Sequence, residues 1–138
     1  MKEELREQTR RWLSEGDYDL RTARLTTEGG AYKTAALLAQ QAAEKYLKGL
    51  YLAVKESAPP KTHDLLALVG DLETPNSVTE AAWSLTPEYL VMRYPDAPGF
   101  VSHEEYDSEI AERRLTEAAA IVAWVRQELE RHGHREDA

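Results

Sequence analysis

AERRLTEAAAIVAWVRQEL, residues 111 to 129, decides the fold. Ala111, Leu115, Ala118, Val122, Val125 and Leu129 recur at alternating spacings of four and three. Such a seam belongs to a helix packed lengthwise in a bundle. Ile110, Ile121 and Trp124 widen the stripe beyond what one helical partner needs, so a subunit contact is expected there too. Upstream, Ser102-His103-Glu104-Glu105 fits an S-x-x-E capping box, which predicts the helix start at Ser102. Gly133 to Ala138 read as a frayed tail, leaving residues 1–132 as one domain.

The same period runs backwards along the chain. Leu13, Gly16, Leu20, Ala23 and Thr27 share one face of a predicted helix from Lys2 to Thr27, which Gly29-Gly30 stops. Ala35, Leu38, Ala39, Ala42, Tyr46, Leu50 and Val54 line a second, from Ala31 to Glu56, whose alanines allow close approach of a neighbour. Thr62 is expected to cap a short helix carrying Leu65, Leu68, Val69 and Leu72. A further helix begins near Asn76 and breaks at Thr86, read as a fresh N-cap before Pro87. Pro95, Pro98 and Gly99 then mark a loop. The result is an all-α protein: an antiparallel up-and-down bundle of four main helices plus a short extra one.

Composition narrows the function. Hydrophobic residues form 42% of 138, enough for one core, and cysteine is absent, which excludes disulfides and thiolate chemistry. MKEELREQTRRW lacks the apolar centre of a signal peptide, and no apolar run approaches the about 18 residues of a membrane span. A cytoplasmic location is therefore expected. The net charge of -8 argues against tight general binding to nucleic acid, DNA included, and without an apolar span no membrane association is expected. Charge is uneven, however. Lys33, Lys45, Lys48, Lys55 and Lys61 cluster between residues 31 and 61, whereas residues 64 to 112 hold eleven acidic residues and a single Arg, Arg93.

Phosphate-cradling glycine loops, H-E-x-x-H and the Glu-x-x-His pairs of di-iron bundles are all missing. His132 and His134 lie beside no fixed third ligand, so no metal and no cofactor are expected. Three segments remain. Gln41, Glu44 and Lys48 form one polar ridge, with Gln40 four before Glu44 and Lys45 beside it. As plain structure, Glu44 and Lys48 would be an exposed pair worth only about 0.3–0.5 kcal/mol. Lys61-Thr62-His63-Asp64-Leu65 sits at a helix start, where Asp64 suits the dipole, and is equally a capping arrangement. In Arg93-Tyr94-Pro95-Asp96 the proline holds Arg93 and Asp96 in a fixed relation, and the Arg suits either a nearby carboxylate or a phosphate.

Together with Trp12, Asp17-Tyr18-Asp19-Leu20-Arg21-Thr22-Ala23, Gly30-Ala31-Tyr32 and Ala123-Trp124-Val125, these segments in this order resemble the HEPN domain family (higher eukaryotes and prokaryotes nucleotide-binding). The resemblance spans about residues 10 to 130. It implies a helical bundle, commonly dimeric, often paired with a minimal nucleotidyltransferase as a toxin–antitoxin couple. Other members are metal-independent endoribonucleases using R-x(4–6)-H, in which the Arg meets phosphate and the His transfers protons. Here the positions that follow Arg93 at that spacing are Pro98, Gly99 and Phe100, and His103 is too far. Arg126 and His132 match formally, but at the wrong end of the last helix. The resemblance thus implies a non-catalytic binding module. Arg93 would meet a nucleotide or phosphate, assisted by Lys45 or Lys48, with Gln40, Gln41 and Tyr94 supplying polar or stacking contacts. A ribonuclease using His103 or His63, and a purely structural dimer, are the alternatives.

Overall fold

The computed structural model describes residues 2–90, 95–96 and 98–133. All its regular elements are helical: α1 (Glu3–Glu28), α2 (Tyr32–Lys55), α3 (Leu65–Leu72), α4 (Asn76–Leu85), α5 (Pro87–Leu90), a 3-10 turn (His103–Glu105) and α6 (Ser108–Arg131). The expected all-α bundle is present, with α3 and α4 together filling the place of the third long helix.

α2 is the central element, touched by every other α-helix. Its inner positions Ala35, Ala36, Ala39, Ala42 and Ala43 are fully buried, so α1 and α6 approach it closely. α1 runs antiparallel to it. A Cβ on Gly16 would lie 2.6 Å from Tyr46 Cδ2, and one on Gly49 would lie 3.2 Å from the Trp12 Cβ and Leu13 Cδ2. Glycine at both places lets an aromatic residue of the facing helix lie on the backbone. The reversal between the helices uses Gly30 at φ 86°, with Ala31 N–H donating to Thr26 C=O at 3.0 Å.

One core cluster links α1, α2, α3, α4 and α6. Leu47, Leu50, Leu65, Leu85, Ile121 and Leu129 are at most 1% exposed, each contributing about 1.5–3 kcal/mol of burial. Ile121 and Trp124, assigned above to a subunit contact, are used inside the chain. Ile121 is fully buried and Trp124 packs against the core, because α4 as well as α2 lies on α6.

Three predicted caps differ from those observed, two at short helices and one at the start of the long α6. Asp64, not Thr62, caps α3: its Oδ1 accepts from Leu66 N–H at 2.9 Å, and Thr62 Oγ1 accepts from Asp64 N–H at 3.0 Å. Thr86 keeps helical backbone (φ -51°, ψ -45°), whereas an N-cap is extended. Its hydroxyl accepts from Leu65 N–H instead, joining the α4–α5 corner to the start of α3. Ser102 caps only the 3-10 turn, while α6 begins after Asp107, whose Oδ1 accepts from Ile110 N–H at 2.9 Å. The cause is Tyr106, held in extended backbone while its hydroxyl reaches Glu88 at 2.6 Å.

A candidate ligand site on the central helix

Glu44 stands at the middle of α2 with its side chain 6% exposed. A carboxylate so deprived of water must be met by donors. Three meet it. Lys48 Nζ lies 3.1 Å from Oε2, Gln40 Nε2 3.3 Å from Oε1, and His63 Nδ1 3.0 Å from Oε1 and 3.2 Å from Oε2. The exposed Glu44–Lys48 pair considered from sequence is therefore a buried one, with the Lys48 side chain only 8% exposed. Its ammonium also sits 5.6 Å from the centre of the Trp12 ring.

His63 is fixed from several directions. Its carbonyl accepts from Gln40 Nε2 at 3.0 Å, and Gln40 Oε1 in turn accepts from Gln41 Nε2 at 2.9 Å. Its ring stacks on Tyr89 of α5 with centroids 3.8 Å apart and planes inclined by 18°. The capping bonds of Thr62 and Asp64 hold the backbone on either side. Because an ionised carboxylate only accepts, the Nδ1 facing Glu44 carries a proton. The other nitrogen, Nε2, lies across a ring whose side chain is 48% exposed.

Sequence reading thus named Gln40, Gln41, Glu44, Lys48 and His63, and the fold brings all five together. Lys45 is turned elsewhere, bonded to Asp19 of α1 at 2.5 Å. Asp96 is exposed, and so is His103, in the 3-10 turn. Arg93 and Tyr94 lie outside the described residues, as does His134. Arg126 and His132 do not form one site: six residues apart on a helix, they are about 9 Å apart along its axis and on different faces. Arg126 is engaged by Asp17 and Tyr46, while His132 is the C-cap. Among the described residues, no three His, Asp or Glu side chains converge as a metal site.

Two anchors around the site were not anticipated. Lys33 Nζ donates to Val101 C=O at 2.7 Å and lies 4.0 Å from the centre of the Phe100 ring, tying the loop before α6 to the start of α2. Glu88, next to Tyr89, accepts from Tyr106 and from Arg114 Nε at 3.0 Å. Burial and then the Glu88 carboxylate push the Tyr106 hydroxyl well above the usual tyrosine range. Burial works to lower the Arg114 pKa, but Glu117 and Glu88 outweigh it and hold that guanidinium above its ordinary value. Neither anchor has a one-dimensional signature, since Glu88 and Arg114 are separated by 26 positions.

The HEPN domain model matches residues 9–129, and the chain belongs to the HEPN family. Its fold is similar to the crystal structure of TT1696 from Thermus thermophilus, with a TM-score of 0.79 and 36% identity over 88% of this chain and 98% of that one. It is also similar to ST0689, an archaeal HEPN homologue, with a TM-score of 0.73 and 26% identity over 88% and 97% of the two chains. No curated protein matches.

Proposed function

We propose that this HEPN-type chain is a non-catalytic binding module for a nucleotide or another phosphorylated group. It would pair with itself and with a minimal nucleotidyltransferase partner. The observation that carries this reading is the half-exposed His63 imidazole, held by a carboxylate that is itself buried with Lys48 and Gln40. Desolvating Glu44 and Lys48 is costly, and such a pair contributes little net stability. Its use is to fix a ring at the surface. Tyr89, on which that ring stacks, precedes Arg93 by four positions in the chain, which is how Arg93 would come to supply a phosphate fork.

The test is thermal. Nucleoside phosphates and inorganic phosphate should raise the melting temperature of the wild type, because a ligand stabilises the state it binds. Arg93→Ala should abolish the rise and leave the unliganded melting temperature nearly unchanged, and Arg93→Lys should retain part of it. A wild type that ignores every nucleotide, together with an unstable Arg93→Ala, would leave Arg93 as a structural partner of a carboxylate.

One observation favours a second reading, a metal-independent endoribonuclease: an imidazole backed by a carboxylate is also the arrangement of an acid–base group. Cleavage of RNA in chelator that disappears in His63→Ala or Arg93→Ala would establish it and displace the binding module. Self-pairing predicts a dimer or higher even oligomer, and a 15.6 kDa species alone in sedimentation at tens of micromolar would contradict it.

A further inference from the structure

Gly70 stands inside α3 without a reason in its own chain. Its backbone is not left-handed, and a Cβ there would meet nothing within 4 Å among the described residues. Glycine is the weakest helix former after proline, so α3 would form more readily with almost any side chain at this place. What glycine leaves is a strip of bare backbone in a surface hollow, floored by Leu66 of α3 and walled by Thr79 and Trp83 of α4. Trp83 is 65% exposed. The charges around the hollow have one sign. Glu73 lines it, Glu80 stands one turn before Trp83, and neither α3 nor α4 contains a Lys or Arg. Bare backbone beside an exposed indole allows close approach of a helix from outside.

A matching face lies on the outside of α1. Apart from Trp83, the large hydrophobic residues exposed among the described ones are Tyr18 and Leu25. They belong to a stripe, Arg11, Ser14, Tyr18, Arg21 and Leu25, that alternates spacings of three and four and is exposed at every position. Its charges are the two arginines. α1 packs on α2 and α6 through its opposite side, so the stripe is left facing solvent.

We propose that the α3–α4 hollow receives the α1 stripe of a second copy of this chain. Tyr18 and Leu25 are about 10.5 Å apart along α1, and the same length of chain runs from Leu66 to Glu73. One helix therefore lies along the other, with its apolar side chains against Leu66, Gly70 and Trp83. Arg11 and Arg21 face the Glu73 and Glu80 carboxylates at the edges, where opposite charge steers the encounter and fixes the register. The two faces differ, so the contact is heterologous. Each copy offers its own hollow to the next, which gives a ring if the rotation closes and a chain if it does not. The inference rests on the self-pairing proposed above and adds the two surfaces and their head-to-tail order.

The test is sedimentation of the full chain over a concentration series. Trp83→Ala and Gly70→Gln should each weaken self-association at least about tenfold. Gly70→Gln fills the hollow from a position with open space around its Cβ, so its melting temperature should equal or exceed that of wild type. That separates a blocked contact from a damaged fold. Charge reversal then identifies the occupant. Arg11→Glu/Arg21→Glu makes both faces acidic, and Glu73→Lys/Glu80→Lys makes both basic. Each variant should stay dissociated alone, and an equimolar mixture of the two should associate. Self-association of the wild type that both hollow variants leave intact would overturn this contact and leave self-pairing through another face. Loss in those variants with no rescue by mixing would overturn α1 as the occupant. A wild type that remains a 15.6 kDa species throughout would overturn the contact and self-pairing together.

Discussion

α2 carries polar side chains on two opposite faces, and the two are built in opposite ways. Tyr46 and Glu44 are two residues apart, about 200° around the helix. On the Tyr46 side the ring is fully buried while the charges stay at the rim. The phenol donates to Asp17 of α1, and Arg126 of α6 reaches Asp17 at 3.0 Å and the phenol oxygen at 2.9 Å. Arg126 and Asp17 keep 50% and 36% of their side-chain exposure. On the Glu44 side the charges are inside and the ring, His63, is at the rim. Exposed charges around a buried aromatic bind three helices together at little desolvation cost. Buried charges around an exposed aromatic incur that cost and leave a positioned imidazole. The first arrangement suits holding the bundle, the second holding something else.

The contrast is broken most severely by removing one partner of the buried pair. Glu44→Leu leaves the Lys48 ammonium without its carboxylate at 8% exposure and should cost about 3–5 kcal/mol in urea unfolding. Glu44→Leu/Lys48→Met removes both charges and should recover most of that loss. A single-variant loss below about 1 kcal/mol would mean that the pair is as solvated as a surface one, and the contrast between the faces would vanish.

Gly16→Ala tests the other face. The new methyl would lie 2.6 Å from a Tyr46 ring that is itself held by Asp17 and Arg126, so the ring cannot simply move away. A loss of about 1–3 kcal/mol is expected. Tyr46→Phe keeps the packing and deletes the phenol bonds, at about 1–2 kcal/mol, and should leave nucleotide affinity unchanged. Reduced affinity in Tyr46→Phe would show that the two faces are one functional unit.

Tyr106→Phe concerns the support behind Tyr89 rather than either face. At neutral pH it should cost about 1 kcal/mol through the lost bond to Glu88. Since the folded state raises the Tyr106 pKa, wild type holds this contribution fully below the unfolded tyrosine value of about 10 and loses it as pH rises beyond that. Wild type and Tyr106→Phe should therefore converge in stability above about pH 10. A gap that stays constant to higher pH would show that Tyr106 ionises as in the unfolded chain.

The long helices were legible because α1, α2 and α6 repeat their apolar positions over about four to five turns each, and their predicted ends fall within a few residues of those observed, the start of α6 excepted. The α6 start was misplaced from Ser102 because a local capping motif competed with a distant partner, Glu88, that no local pattern reveals. The same holds for the site. Gln40, Gln41, Glu44 and Lys48 were visible as a polar ridge on an otherwise alanine-rich helix, and His63 stood in a capping segment. That Glu44 is buried, that Tyr89 covers His63 and that Trp12 covers Lys48 depend on three other elements meeting α2. Lys45 shows the converse: it shares the ridge in sequence, but one position further round α2 it meets Asp19.

The smallest stability effect is also the most informative. His63→Ala removes a ring that is nearly half exposed, leaving Glu44 with Lys48 and Gln40 as donors and α3 with its Asp64 cap. A loss of no more than about 0.5 kcal/mol is expected, as for surface substitutions in general. On the proposed nucleotide-binding reading, His63→Ala should nevertheless lower affinity for nucleoside monophosphates and for ribose 5-phosphate alike. His63→Gln restores a polar donor without the ring, so partial recovery would assign the role to hydrogen bonding, and none would assign it to the stack with Tyr89. If His63→Ala is instead as destabilising as Glu44→Leu and leaves affinity intact, the imidazole is a structural partner of Glu44. The two faces of α2 would then differ in burial alone.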